Sequence, residues 1–228
     1  MKKKQLLKVA LSALVLSAGV AEKKFEGAHV GADVNYKFES QTFKDKSTGN
    51  NRGTDVKVKP SGVGLALNAG YTEMVGSVYL GGDVRLGYGF GKKSKTQSGN
   101  YLGATTAFNM KAEVKQRWNL GLGALVGTEC MDDCLVFFRL GFDYSNYKAE
   151  ATALTAGTGV AAGTKRSKTY GMWSVVPGLG VKYKFDRDWT VTAAYEYAHQ
   201  LSSKSLFNDI KAEKGSSHAI RFGASYCL

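Results

Sequence analysis

Along the last stretch of the chain, residues 216–228, every second residue changes character. His218, Ile220, Phe222, Ala224, Tyr226 and Leu228 fall on one face; Ala219, Arg221, Gly223, Ser225 and Cys227 fall on the other. A period of two is a β-strand period. The same alternation returns about eight times along the chain. In the first strand Ala28, Val30, Ala32, Val34, Tyr36 and Phe38 oppose His29, Gly31, Asp33, Asn35 and Lys37. One face suits hydrocarbon, and the other is small, polar or charged.

The N-terminus tells where such strands are used. Lys2, Lys3, Lys4 and Lys8 precede a short apolar run, and Gly19 and Ala21 are small residues suited to a cleavage site after Ala21. This is the pattern of a secretory signal peptide, so residues 1–21 are expected to be removed and 22–228 to fold. No later stretch approaches ~18 consecutive apolar residues, the length a spanning helix needs. An exported chain with repeated two-sided strands predicts an all-β fold: an eight-stranded antiparallel transmembrane β-barrel in the outer membrane of a Gram-negative bacterium.

Connections alternate long and short. Short turns fall at 72–77, 129–134 and 186–188. Long polar segments fall at 39–59, 91–117, 148–168 and 201–215. Within them, 92–100 reads as a hydrophilic loop tip and 148–168, rich in Ala, Gly and Thr, as a flexible loop. Val56, Val58 and Pro60 keep one parity, and Val63, Leu65 and Leu67 take the other. That change of phase predicts a bulge at 60–62, where the strand leaves the membrane. From Phe108 through Val114, Trp118 and Leu122 to Val126 a single parity runs unbroken. The length exceeds the ~9–11 residues a membrane strand needs, so the charged part before Trp118 is expected to project as a β-extension.

The formal charge is +12, and four of the lysines lie in 1–21, which leaves +8. The four long segments together carry +11, so the remainder is net −3. The basic character belongs to the outer segments. Cys130 and Cys134 flank Met131-Asp132-Asp133, and in an oxidising periplasm a disulfide across that turn is expected. The spacing fits no zinc pattern. Cys227 reads as an inward-facing filler at the periplasmic rim.

The laid-out strands resemble the eight-stranded outer-membrane barrels of the OmpA transmembrane-domain and opacity-protein type. The matching pieces include His29-Val30-Gly31-Ala32-Asp33-Val34, Gly121-Leu122-Gly123-Ala124-Leu125-Val126-Gly127, Phe138-Arg139-Leu140-Gly141-Phe142 and Phe222-Gly223-Ala224-Ser225-Tyr226. Such barrels end in phenylalanine where this chain has Leu228, and a periplasmic cell-wall tethering domain is not expected. The resemblance implies a surface antigen, adhesin, structural barrel or narrow pore.

Three constellations are candidates for function. The first is a luminal charge network of Asp33, Asp83, Arg85, Arg139, Asp143, Glu196 and Arg221. Charges inside an eight-stranded barrel must pair, so this set is expected to be a plug that fixes register, with a gated pore as the alternative. The second is a cationic crown of Lys92, Lys93, Lys95, Lys111, Lys115, Arg117, Lys165, Arg166 and Lys168. It would attract polyanions: lipopolysaccharide phosphates, glycosaminoglycans or a host surface. It lacks the aromatic interleaving of single-strand nucleic-acid sites, so no specific nucleic acid is expected. The third is His199 and His218, expected to oppose across the last hairpin near Ser202, Ser203, Ser216 and Ser217, the seat of a lipid-modifying enzyme alternative. The leading expectation is a non-enzymatic monomer without cofactor or metal. Its partners would be outer-membrane lipid, the barrel-assembly machinery and external polyanions.

Overall fold

The structure, a computed structural model, describes residues 24–45, 56–99, 108–156, 161–207 and 210–228. The expected signal peptide and the Ser47-Thr48-Gly49-Asn50-Asn51 loop lie outside them. Among the described residues there are twelve strands: β1 (Gly27–Asp45), β2 (Val56–Val58), β3 (Ser61–Val75), β4 (Val78–Gly89), β5 (Lys92–Gly99), β6 (Phe108–Met131), β7 (Cys134–Ala153), β8 (Lys165–Lys184), β9 (Trp189–Gln200), β10 (Lys204–Phe207), β11 (Ile210–Ala212) and β12 (Ser216–Cys227). Eight of them, β1, β3, β4, β6, β7, β8, β9 and β12, form the barrel wall, and β1 closes it by pairing with both β3 and β12. The periplasmic turns are tight. Gly76 takes φ 67 between β3 and β4, and Asp133 takes φ 62 between β6 and β7, a conformation Asp tolerates better than most residues.

Outward side chains of the wall are apolar and exposed, as hydrocarbon demands. They include Leu65, Leu67, Leu86, Leu122, Leu140, Leu179 and Phe222. Aromatic residues mark the outer border: Tyr36 and Phe38, Tyr88 and Phe90, and a cluster in which Tyr144 lies 5.4 Å from Trp118 and 4.9 Å from Trp173. The inward face is buried and mostly polar, with a small apolar cluster of Leu125, Phe137 and Ala194.

Above that border the strands continue, and their polarity turns inside out. On β7 the inward residues become Tyr147, Ala149, Ala151 and Ala153, all buried, while Lys148, Glu150 and Thr152 face out. The extension is a small β-sandwich. Strands β5–β6–β7–β8 form one sheet and β2–β1–β11–β10 the other. Between them lies an apolar core contributed by Phe43, Val58, Leu206 and Ala212 from one sheet and Val114, Tyr147, Tyr170 and Met172 from the other. Water rather than lipid surrounds this part, so apolar groups go inward there.

Several expectations are corrected by this arrangement. Residues 92–100 are not a loop tip, because β5 occupies Lys92–Gly99. Residues 148–168 are not one flexible loop: β7 runs to Ala153 and β8 begins at Lys165. The alanines that read as flexibility fill the narrow sandwich core. No bulge forms at 60–62. Gln41 pairs with Val58 and Phe38 with Ser61, so the register of β1 continues without slip; what changes at Pro60 is the solvent. The projecting β6 is a single strand, as expected, but its parity is broken. Gln116 pairs with Tyr147 and Asn119 with Ser145, so Arg117 and Trp118 together oppose one residue of β7. This bulge turns Val114 and Gln116 inward while Trp118 and Leu120 stay outward.

Candidate functional site

The inward residues at mid-barrel form the expected charge network. The Asp83 carboxylate accepts hydrogen bonds from Arg139 Nε at 2.8 Å and Nη2 at 2.6 Å. Arg85 pairs with Glu196 at 2.7 Å and reaches Asp83 at 3.5 Å. Arg221 reaches Glu196 at 3.2 Å and Asp33 at 3.4 Å. Asn68 donates to Asp33 at 2.9 Å. Arg139, only 1 % exposed, fits because Gly123 and Gly141 leave room: a Cβ at either would fall on its guanidinium. Six of the seven expected residues are thereby joined. Asp143 is the exception: it enters no ion pair among the described residues, and its Oδ1 is buried without a hydrogen-bond partner there. Lys37, already on the inward side of the first strand by parity, and Lys182 also line the lumen and stand outside the expected network; the repeat Gly178, Gly180, Lys182 is the signal for the latter.

The lumen is closed in layers. Two cavities of about 30 Å³ flank the charge layer, and Arg85 and Arg221 line both. Each has room for roughly one or two waters. At the periplasmic end Phe25 packs with Tyr79 and Leu135. Lys24, next to it, pairs with Asp133 at 3.1 Å. At the outer end Gln200 donates to Glu39 at 3.2 Å and accepts from the Gly215 N–H at 2.8 Å, beneath the sandwich core.

The nine crown residues all lie on strands of the extension rather than on loops. Lys92, Lys93 and Lys95 are on β5, and Lys165, Arg166 and Lys168 on β8. These are the two edge strands of the outer sheet, and residues 92–96 and 165–169 are exposed on both faces. Lys111, Lys115 and Arg117 are on β6 between them. Glu113 is held by Lys115 at 3.0 Å and Lys92 at 3.5 Å. Glu150 is held by Lys148 at 2.7 Å and Lys165 at 3.2 Å. Hydrogen bonds from Lys148 and Lys165, with the charge of Lys115 nearby, hold the Glu150 carboxyl down to about 2. Desolvation acts to raise the Glu113 carboxyl, but the hydrogen bonds and charges of Lys115 and Lys92 together outweigh it and the net shift is downward. Lys168 donates to the Ser205 carbonyl at 3.1 Å. Lys148 shares Glu150 with Lys165 and stands outside the expected set.

His199 and His218 do not oppose: His199 faces Ser216, and His218 faces Tyr197. Both are on the lipid-facing side, and His218 Nδ1 shares a 2.5 Å hydrogen bond with Tyr195 Oη. Cys130 and Cys134, for which a disulfide is expected, face each other across the turn with sulfurs 3.2 Å apart.

The sequence matches the family described as outer membrane protein beta-barrel domain over residues 9–227. No curated protein matches it. Among solved structures it is similar to the outer membrane protease OmpT of Escherichia coli, at 7% identity over 93% of this chain and 100% of that one, with a TM-score of 0.51. It is similar to OprG of Pseudomonas aeruginosa at 12% identity, covering 90% and 98%, TM-score 0.49. A further likeness is Ail of Yersinia pestis in complex with the heparin analogue sucrose octasulfate, at 14% identity, covering 89% and 99%, TM-score 0.39. At these identities likeness concerns fold alone, and only the first is close enough to bear on it.

Proposed function

The chain belongs to the outer membrane protein beta-barrel family and lies in the bacterial outer membrane, and on that premise we propose that it is a non-enzymatic surface protein whose extracellular sandwich presents basic edges to polyanions. The observation that carries this is the placement of Lys93, Lys95, Arg166 and Lys168 on the exposed edges formed by β5 and the outer part of β8. The sandwich core holds both edges in place, so little side-chain scaffold has to be ordered on contact.

Lysines on edge strands also deter unwanted pairing, and the test must separate the two roles. Binding of the refolded protein to an immobilised sulfated polysaccharide is measured against salt for the parent and for Lys93→Gln/Lys95→Gln/Arg166→Gln/Lys168→Gln. Polyanion contact predicts binding that weakens with salt and falls at least tenfold in the variant. Unchanged binding with new self-association in the variant would leave edge protection as the whole role.

The pore alternative meets three barriers in series: the Phe25 floor, the ion-paired layer and the sandwich core. The enzyme alternative lacks geometry. Neither histidine is oriented by a carboxylate among the described residues, which a general base of this kind needs. Incubation with labelled lipid tests it, and turnover lost on His218→Ala would restore it.

A further inference from the structure

The polarity inversion places three lysines on one rung just above the membrane border. Lys92 pairs with Lys115 across β5 and β6, and Lys115 pairs with Lys148 across β6 and β7. Like charges directly opposite on neighbouring strands repel, and a row of three is costly. Glu113 and Glu150 form the next rung and answer only part of the charge. Each carboxylate clamps two lysines, so four lysines and two glutamates leave +2 on this face. Arg117, exposed at the bulge, adds a further positive charge and has no ion pair among the described residues. A clamped lysine spends one N–H on its glutamate and keeps two donors for another anion.

Height decides which anion is in reach. Lys148 lies four residues beyond Tyr144, so at ~3.3 Å per residue and a tilt of ~40° it stands roughly 10 Å above the aromatic border. Arg117 adjoins Trp118 in that border. The headgroup layer is ~5–8 Å deep, and a lysine stem lets its ammonium reach back down by several ångströms. Lys111 and Lys165, on the rung of Thr152, stand roughly 20 Å up and are out of range by the same rise. Below the border the wall is furrowed. Ala69, Gly82 and Ala124 floor an open groove of about 740 Å³ walled by Leu122, Leu140 and Phe142. Hydrocarbon chains of the bilayer are what this groove faces.

We propose that Lys92, Lys115, Arg117 and Lys148 bind the phosphate groups of an outer-leaflet glycolipid, with its acyl chains lying over the Trp118–Tyr144 border and in the groove beneath. This deepens the polyanion reading, because it assigns the membrane-proximal residues to a resident lipid and leaves the edge residues to face outward.

The test is retention of lipid. The refolded protein is passed through mixed vesicles of phosphatidylcholine with bisphosphorylated lipid A or with its phosphate-free analogue, and bound glycolipid is counted per barrel. The proposal predicts at least tenfold preference for the phosphorylated form. That preference is lost in Lys92→Gln/Lys115→Gln/Arg117→Gln/Lys148→Gln and kept in the edge variant described above. Circular dichroism confirms that each variant is folded; should the fourfold variant fail, Arg117→Gln with Lys148→Gln is read instead. Equal retention of the two glycolipids, or full retention by the variant, overturns the proposal. Displacement by a soluble sulfated polysaccharide at equal charge also overturns it, since the site would then be a general polyanion surface. Loss of polysaccharide binding in the edge variant with lipid retention intact would show the two readings to be separate.

Discussion

Replacing Arg139 by alanine removes a guanidinium that is 1% exposed and makes three hydrogen bonds to Asp83, at 2.6, 2.8 and 3.1 Å. Breaking one side of a buried pair costs ~3–5 kcal/mol, most of it for the charge left behind. Here the loss is cushioned. Asp83 keeps Arg85 at 3.5 Å, and Glu196 keeps Arg85 at 2.7 Å and Arg221 at 3.2 Å. The low end of the range, about 3 kcal/mol, therefore applies. With a urea slope of about 2 kcal/mol per molar, the midpoint should fall by about 1.5 M. The assay is urea unfolding of the protein folded into phosphocholine vesicles, followed by tryptophan fluorescence and by gel mobility. The double variant Arg139→Leu/Asp83→Leu removes both charges and should recover most of the loss, leaving about 1 kcal/mol, as buried pairs replaced by apolar groups usually do. A midpoint for Arg139→Ala within 0.25 M of the parent (roughly 0.5 kcal/mol at that slope), or a double variant as costly as the sum of its parts, would refute the argument that this pair holds the barrel.

Gly123→Ala should destabilise the parent by about 1–3 kcal/mol, because its Cβ meets the Arg139 guanidinium, and by much less in the Arg139→Ala background; additive costs would show that the guanidinium does not need that space. The Glu150 carboxyl, held at about 2 against its ordinary 4.5, contributes in full above pH 4.5, and its contribution is lost as pH falls through 2. Carboxyl NMR should show that low midpoint, and Lys148→Met should move it upward. In a planar bilayer the parent should show no steady conductance, since floor, ion-pair layer and cap lie in series; steady single-channel currents would contradict that closure.

The wall was legible because hydrocarbon enforces alternation strictly: the parity of β1, β4, β7, β9 and β12 follows directly from the letters. The extension was hidden by an ambiguity of period. When a strand passes from lipid to water its apolar side moves from outside to inside, and on paper this looks like a slip of register. Val58 and Val63 show that case, which in the sequence has the same signature as a bulge. In β6 the inversion coincides with a real bulge at Arg117 and Trp118. The two shifts cancel, so Val114 and Leu120 keep one apparent parity while facing opposite ways. Periodicity alone cannot separate the cases, because it records which neighbours differ and not which solvent lies outside. The same ambiguity hides the rung that Lys148 completes with Lys92 and Lys115. The luminal set fared better, because inward charges in a narrow barrel have few places to go. Lys182 escaped because its neighbours are glycines.

The sandwich core takes Phe43 and Val58 from the beginning of the folded chain and Leu206 and Ala212 from its end, around residues supplied by the middle strands. It can form only after the first and last wall strands have met. A barrel stalled with that seam open would show Tyr147, Met172 and the intervening alanines to water outside the cell, and the exposure would vanish on closure. Burial of the cap core thus reports that the seam between β1 and β12 has closed.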